Sequence, residues 1–448
     1  MSGAPLSRFT MSYFAVSIAC LLLGLTAMAT GFGYPSGGMG APDTLVVVHL
    51  ITIGWLALLF CGALLQFVPV LSAATPRLGC LAAPALILLI SGLSALLIGF
   101  LALGGRLDVD LLIMPAGALC LAAGFVCLSL PFAWTILSQK SVDHSGWMVL
   151  IGLISLLVTI TLGGSFTGVL SGMAGVESVP ELLTAGVSVH ALSGLLGWMS
   201  ITAAGVSYRL FSMFLVAPAT GLRTRPMLAS LITGLCVLWF GPLIENSSLP
   251  GAGSLQWGAL ALLACGVWVF SSDIAGMVRA RRRKALELST LLGLGALGYL
   301  SLGFALLAWA AMVPDAQTLP AAAIYVLAMG WLSGLGLSQL YKIVPFLTWL
   351  EAYGPVMGRA PVPRVQDLIR DRRARIWFLL YHAGVVVGLI ALLADALIMF
   401  RIAASLQLVA VSMLALEFIH ARRLTYVPED IKFPVGMIRP YLLYAHTP

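Results

Sequence analysis

Three stretches decide how this chain reads: Val48–Trp55, "VHLITIGW"; Val189–Trp198, "VHALSGLLGW"; and Ile324–Trp331, "IYVLAMGW". Each closes on Gly-Trp inside a long apolar run. The first two place a histidine, His49 or His190, shortly before that pair. The third has Tyr325 as its only polar side chain there.

Working outward, a polar side chain stands twelve residues after each glycine: Gln66, Arg209 and Lys342. Tyr208 and Tyr341 precede the last two, and Leu65 precedes the first. Pro69, Ser212 and Pro345 follow fifteen residues after the glycines, in "GALLQFVPV", "GVSYRLFSM" and "GLSQLYKIVPF". The three matched segments predict one unit used three times. Each glycine lets a neighbouring helix approach closely. The polar residue sits about 18 Å further along a helix of 1.5 Å rise, where Arg209 and Lys342 can snorkel to an interface or act as simple anchors.

The surrounding composition is that of a membrane protein. Of 448 residues, 60% are apolar and 9% charged, with a mean hydropathy of +1.04; a soluble domain carries about 25% charged residues. The apolar runs are unbroken rather than alternating, which excludes an outer-membrane barrel. Twelve spans are expected, roughly 11–32, 44–73, 79–104, 110–137, 146–172, 183–216, 226–246, 253–278, 287–313, 320–349, 376–398 and 401–420. Only Asp395 and Arg401 separate the last two. The three Gly-Trp segments then fall in spans two, six and ten, so the repeating unit is four helices. The fold class is all-α, a twelve-span bundle with a pseudo-three-fold repeat.

With both termini cytoplasmic, nearly every basic residue falls inside: Arg8, Arg77, Lys140, Arg223, Arg225, the run Arg279–Lys284, the Arg359–Arg375 cluster, Arg422 and Arg423. Only Arg106 and Arg401 fall outside. This is the positive-inside bias of an inner (cytoplasmic) membrane protein. The net charge of +7 therefore speaks for the lipid bilayer as partner and against nucleic acid. Residues 352–375 form the longest hydrophilic stretch, a basic cytoplasmic loop, and 421–448 a cytoplasmic tail. The rest is a single membrane domain. The seven cysteines read as small buried hydrophobes within spans, not as a disulfide or zinc set.

A three-fold repeat of four helices resembles the heme-copper oxidase subunit I superfamily. "HALSGLLGWMSITAAGVSYRLFSMF" (His190–Phe214) is similar to that family's sixth helix. "GWLALLFCGALLQFVPVL" (Gly54–Leu71) and "LYKIVPFLTWLE" (Leu340–Glu351) resemble a divergent bacterial branch of it. The resemblance implies that His49 stands where a heme ligand stands and His190 where a copper ligand stands. It also implies heme b as cofactor, respiratory-complex subunits as partners, and a role in respiratory or nitrogen-oxide metabolism. The family's copper site needs a histidine pair on the seventh helix, and "RPMLASLITGLCVLWFGPLIENS" has none. Its second axial heme ligands stand on the tenth helix, where "PAAAIYVLAM" has none. A competent oxygen reductase and a copper centre are therefore not expected. The alternative is a metal-free scaffold, assembly factor or transporter on the same frame.

Read from the residues alone, His49 and His190 lie at comparable depth near the outer face. An imidazole there is either a helix–helix hydrogen bonder or a metal ligand. Arg209, Lys342, His382, Glu417 and His420 are expected on the cytoplasmic side as a polar cluster or as separate interfacial residues. His144 is expected in a solvated loop, Asp273 beside Arg279, and Asp395 paired with Arg401. No Walker, zinc-hydrolase or triad motif is present.

Overall fold

The computed structural model describes residues 8–72, 80–173, 179–218, 223–245, 255–313 and 318–444. Twelve helices are long and apolar enough to cross a membrane, and no strand occurs among the described residues. We number them α1 (Thr10–Thr30), α2 (Pro42–Ser72), α3 (Ala82–Leu103), α4 (Ile113–Leu137), α5 (His144–Leu170), α6 (its described span Gly186–Leu215), α7 (Thr224–Pro242), α8 (Leu255–Arg279), α9 (Leu288–Met312), α10 (Thr318–Val356), α11 (Asp371–Leu393) and α12 (Leu397–Arg422). The chain is thus a multi-pass, all-helical membrane bundle.

Three of these helices are innermost. In α2, α6 and α10, 67%, 78% and 89% of the most apolar window is buried, against at most 50% elsewhere. These are the three Gly-Trp helices. Each contains an eight-residue π-helical segment: Leu50–Ala57, Ser193–Ser200 and Val326–Ser333. Each segment starts four residues before its glycine and ends three after it, so the register is identical in all three. The segments pack on one another and form the axis of the bundle. Wide turns of this kind are rare and recur at functional places in helices.

The other helices repeat around that axis. A methyl group at Gly54 would lie 2.7 Å from Cys20 of α1; at Gly197, 2.7 Å from Ser155 of α5; at Gly330, 2.6 Å from Tyr299 of α9. Each glycine therefore admits the helix that precedes its own in the chain. The remaining two helices of each unit form tight hairpins, α3/α4, α7/α8 and α11/α12. They close on Gly92, Gly234 and Gly384, where a methyl group would meet backbone carbonyls of the partner at 2.7, 3.2 and 2.9 Å. Each hairpin packs on the first helix of the next unit, and α12 returns to α1 to close the ring.

The basic loops collect at one end, called here the basic end. There, Ala352, Tyr353, Val356, Leu368, Leu424 and Val427 form a small second core. It joins the 352–375 stretch to the residues after α12.

Several local expectations change. Helices α11 and α12 are parted by the turn Ala394–Ala396, with Asp395 at φ 50°. Arg401 lies inside α12 and its guanidinium donates to the Ala29 carbonyl at 3.1 Å rather than to Asp395. Arg106 forks onto Asp43 at 2.8 and 2.6 Å. Both arginines at the far end thus have a specific partner. Cys80 precedes α3 and is exposed, and Cys236 and Cys265 are exposed on their helices. They are not core cysteines, because on a lipid-facing helix surface apolar character and burial separate.

Candidate functional site

The axis carries a directional ring of side chains. The Trp55 indole N–H donates to Ser333 Oγ at 2.8 Å, and the Trp331 N–H donates to Ser200 Oγ at 3.1 Å. Each serine hydroxyl in turn donates to the carbonyl five residues back, Ser200 to Leu195 at 2.8 Å and Ser333 to Ala328 at 2.7 Å. That reach matches the wide π turn. The serines stand three residues after the glycines, and the first copy has Ala57 there. Trp198, whose acceptor would be supplied by that copy, has a buried indole N–H with no partner. The repeat was read from Gly-Trp and from the offsets of twelve and fifteen; the serine three residues on from two of the glycines was the overlooked signal.

The candidate site lies toward the far end, before the π segments. His49 immediately precedes the first segment. Its Nδ1 is 2.8 Å from the Leu45 carbonyl one turn back, and its ring packs on Phe100 at 5.0 Å. The Nδ1 of His190 is 3.0 Å from the Thr159 carbonyl of α5, and its ring meets Phe166 edge-on at 5.6 Å. Gly163 makes room for that ring, since a methyl group there would be 2.9 Å from His190 Cε1. A carbonyl at Nδ1 fixes the proton on that nitrogen and leaves Nε2 as a lone-pair donor. No hydrogen bond reaches either Nε2 from the described residues.

The histidines are nevertheless not one position of the repeat. Counted from the glycines, His49 stands at minus five and His190 at minus seven. Two residues turn a side chain by roughly 200° around a helix. This is why His49 bonds within its own helix and His190 bonds to α5. The repeat equivalents of His49 are Leu192 and Tyr325. The Tyr325 hydroxyl accepts from Gln407 Nε2 at 2.6 Å and fills the space over Gly388.

The residues expected on the cytoplasmic side separate into different settings. Lys342 pairs with Glu287, which also binds Arg283 at 2.7 Å, and its ammonium lies 4.2 Å from the Phe214 ring centre. Burial would raise the Glu287 carboxyl, but the Lys342 and Arg283 contacts outweigh it and hold the group below the usual carboxylate range. Arg209 is exposed. Glu417 and His420 do meet, through Tyr426. Its hydroxyl donates to Glu417 at 2.9 Å and is 3.0 Å from His420 Nδ1, with Arg373 3.8 Å from Glu417. Burial and the Glu417 carboxylate push the Tyr426 phenol upward, so it remains a neutral donor.

His382 lies apart from that group, about 16 Å along α11 from its start. It stacks on Tyr299 at 5.6 Å and 11°, against Gly334, and its Nδ1 is buried without a partner. It does not reach Lys342 or Glu351; the latter pairs with Arg422 at 2.8 Å. His144 opens α5 and packs edge-on against Tyr208 at 5.1 Å, so it is half-buried rather than solvated. Asp273 accepts from Tyr208 at 3.0 Å and pairs with Arg223, not Arg279. Tyr341 likewise donates to Asp371 at 3.0 Å. The matched tyrosines of copies two and three therefore each hold an aspartate, and Leu65 of copy one holds none.

Among the described residues, two half-open cavities of about 60 and 30 Å³ adjoin the axial helices and are lined by neither His49 nor His190. Among the described residues no three His, Cys, Asp or Glu side chains converge as a metal site. No family model and no curated protein matches the chain.

Proposed function

We propose that the chain is a heme-binding protein of the bacterial inner membrane, similar in frame to heme-copper oxidase subunit I. On this reading it serves respiratory or nitrogen-oxide metabolism without reducing oxygen. One observation carries it: both His49 and His190 commit Nδ1 to a backbone carbonyl, and neither Nε2 has a hydrogen-bond partner among the described residues. Such a carbonyl contact would orient each imidazole and raise its basicity toward a heme iron. The Gly163 cradle fixes the orientation of the His190 ring. His49 and His190 would hold a heme b, which supplies one-electron chemistry when bound. The protein's part is to fix the tautomer and the orientation of both rings. The absence of histidine on α7, and Tyr325 in the third copy, argue against a copper centre and an oxygen-reducing site.

The test is the visible spectrum and iron content of the purified protein. A Soret band with stoichiometric iron, lost in His49→Ala and reduced in His190→Ala, is the expected result. A colourless, iron-free protein that stays so after incubation with hemin would sink the proposal.

A second reading is a metal-free scaffold, assembly factor or transporter. It is favoured by the Tyr325–Gln407 pair, which fills with protein the third-copy position equivalent to His49. In that case both alanine variants shift thermal stability or partner binding and change no spectrum.

A further inference from the structure

The segment after α12 runs from Leu424 to the basic end of the bundle and folds back beneath three helix termini. Four contacts fix its path. Tyr353 at the end of α10 donates to the Lys432 carbonyl at 2.9 Å, and the Ile438 amide donates to the Ala352 carbonyl at 3.2 Å. The buried Arg422 guanidinium at the end of α12 donates to the Tyr441 carbonyl, and Ser12, in the first turn of α1, donates to the Leu443 carbonyl at 2.6 Å. The strap is therefore held at the level where α1, α10 and α12 end.

Its outward face is not that of a solvated tail. Val435 is 98% exposed, and Phe433, Tyr441, Leu442, Leu443 and Tyr444 are each 44–47% exposed. Arg439 lies over the Phe433 ring at 4.6 Å, and Tyr441 packs on Tyr444 at 4.6 Å. A run of exposed apolar and aromatic side chains with an interspersed arginine marks a binding surface on a soluble face. At a membrane–water boundary it is the ordinary composition, because tyrosine and arginine keep a polar tip in water and an apolar body in lipid. The strap from Phe433 onward contains no helix, so its backbone groups need water or headgroups and are excluded from the hydrocarbon. Its anchors on Ser12, Tyr353 and Arg422 set it at the level where three of the membrane-spanning helices have their termini.

We propose that residues 433–444 form an interfacial strap that seats in the headgroup layer of the leaflet at the basic end, with Val435 and Leu442 dipping into the acyl boundary. The occupant of this surface is the bilayer in which the helices already stand. The inference does not depend on the heme reading.

The experiment uses the full chain in nanodiscs containing phosphatidylglycerol. A nitroxide is attached at Val435→Cys or Leu442→Cys, in a background of Cys80→Ala, Cys236→Ala and Cys265→Ala. The same label at Lys140→Cys, in the exposed α4–α5 loop, is the solvent reference. Power saturation should show both strap labels several-fold more accessible to oxygen, and several-fold less accessible to a nickel chelate, than the Lys140 label. Nickel accessibility equal to the reference overturns the proposal. Protection accompanied by dipolar broadening between labels also overturns it, because a second copy would then cover the strap.

Discussion

In the register of the repeat, Ala57 stands to Trp198 as Ser333 stands to Trp55 and Ser200 to Trp331: two of the three indoles on the axis have a hydroxyl acceptor, and the position that would serve the third carries no hydroxyl. The asymmetry is chemical. The π segments share one register, and the buried N–H of Trp198 is left unpaired. A buried donor without a partner costs roughly 1–3 kcal/mol. Ala57→Ser should close the ring and stabilise the protein by about 1 kcal/mol, read as a higher midpoint of thermal unfolding in detergent. Trp198→Phe should cost less than Trp55→Phe or Trp331→Phe, since only the latter two break a hydrogen bond. Equal losses for all three, with no gain from Ala57→Ser, would rule out the ring as a source of stability.

The glycine of each copy is fixed by the helix it admits. At Gly330 the nearest atoms to an added methyl are Tyr299 Cγ and Cδ1, at 2.6 and 2.7 Å. They belong to a ring that also stacks on His382. The ring cannot swing away without breaking that stack. Gly330→Ala should destabilise by about 1–3 kcal/mol as overpacking, whereas Gly295→Ala, on the neighbouring α9 with open space around it, should be neutral. Paired unfolding curves for the two variants check this.

These two cases show how much was legible beforehand. Spacing of the Gly-Trp pairs among the spans gave the four-helix unit and its three copies, because the repeat is written in residue identity at fixed offsets; that these helices are the innermost is a finding of the structure. It did not give the facing of side chains. His49 and His190 look equivalent as letters before Gly-Trp, yet two residues of register send them to different neighbours. Asp395 and Arg401 look paired in sequence. A three-residue turn and the start of α12 instead set Arg401 against the Ala29 carbonyl. Charged partners far apart in the chain, such as Arg422 and Glu351, leave no local pattern at all.

Arg422 and Glu351 form an ion pair at 2.8 Å with side chains only 4% and 5% exposed. Arg422 also donates to Thr348 at 3.1 Å. Removing one partner strands the other charge, at a cost of about 3–5 kcal/mol for buried pairs. Glu351→Gln should therefore destabilise strongly. The joint change Glu351→Gln with Arg422→Met should recover part of that loss. A double variant no more stable than the single one would mean that Arg422 acts through the C-terminal strap and not through the pair.

Glu287 contributes a pH dependence at the basic end. Its folded-state carboxyl titrates below the usual range because Lys342 and Arg283 outweigh the effect of burial. The unfolded chain therefore binds the proton first as pH falls. The stability this group confers is fully present above the ordinary carboxylate value of about 4.3 and is lost as pH drops through the lower folded-state value. Between pH 6 and pH 3 the unfolding midpoint should fall more in the wild type than in Glu287→Gln. Parallel curves for the two proteins would contradict the assignment.

The Gly163 cradle offers a test of the heme reading that leaves both histidines in place. A methyl group on Gly163 would stand 2.9 Å from His190 Cε1, and the ring is tied at Nδ1 to the Thr159 carbonyl. Gly163→Ala must therefore tilt the imidazole or lengthen that hydrogen bond, and either change alters ligand orientation and basicity. If His190 is an axial ligand, this variant keeps its heme but shows a shifted Soret maximum or midpoint potential. Gly164→Ala, beside it in open space, shows neither. If His190 is only a helix–helix hydrogen bonder, Gly163→Ala lowers thermal stability and leaves the spectrum of any bound heme unchanged.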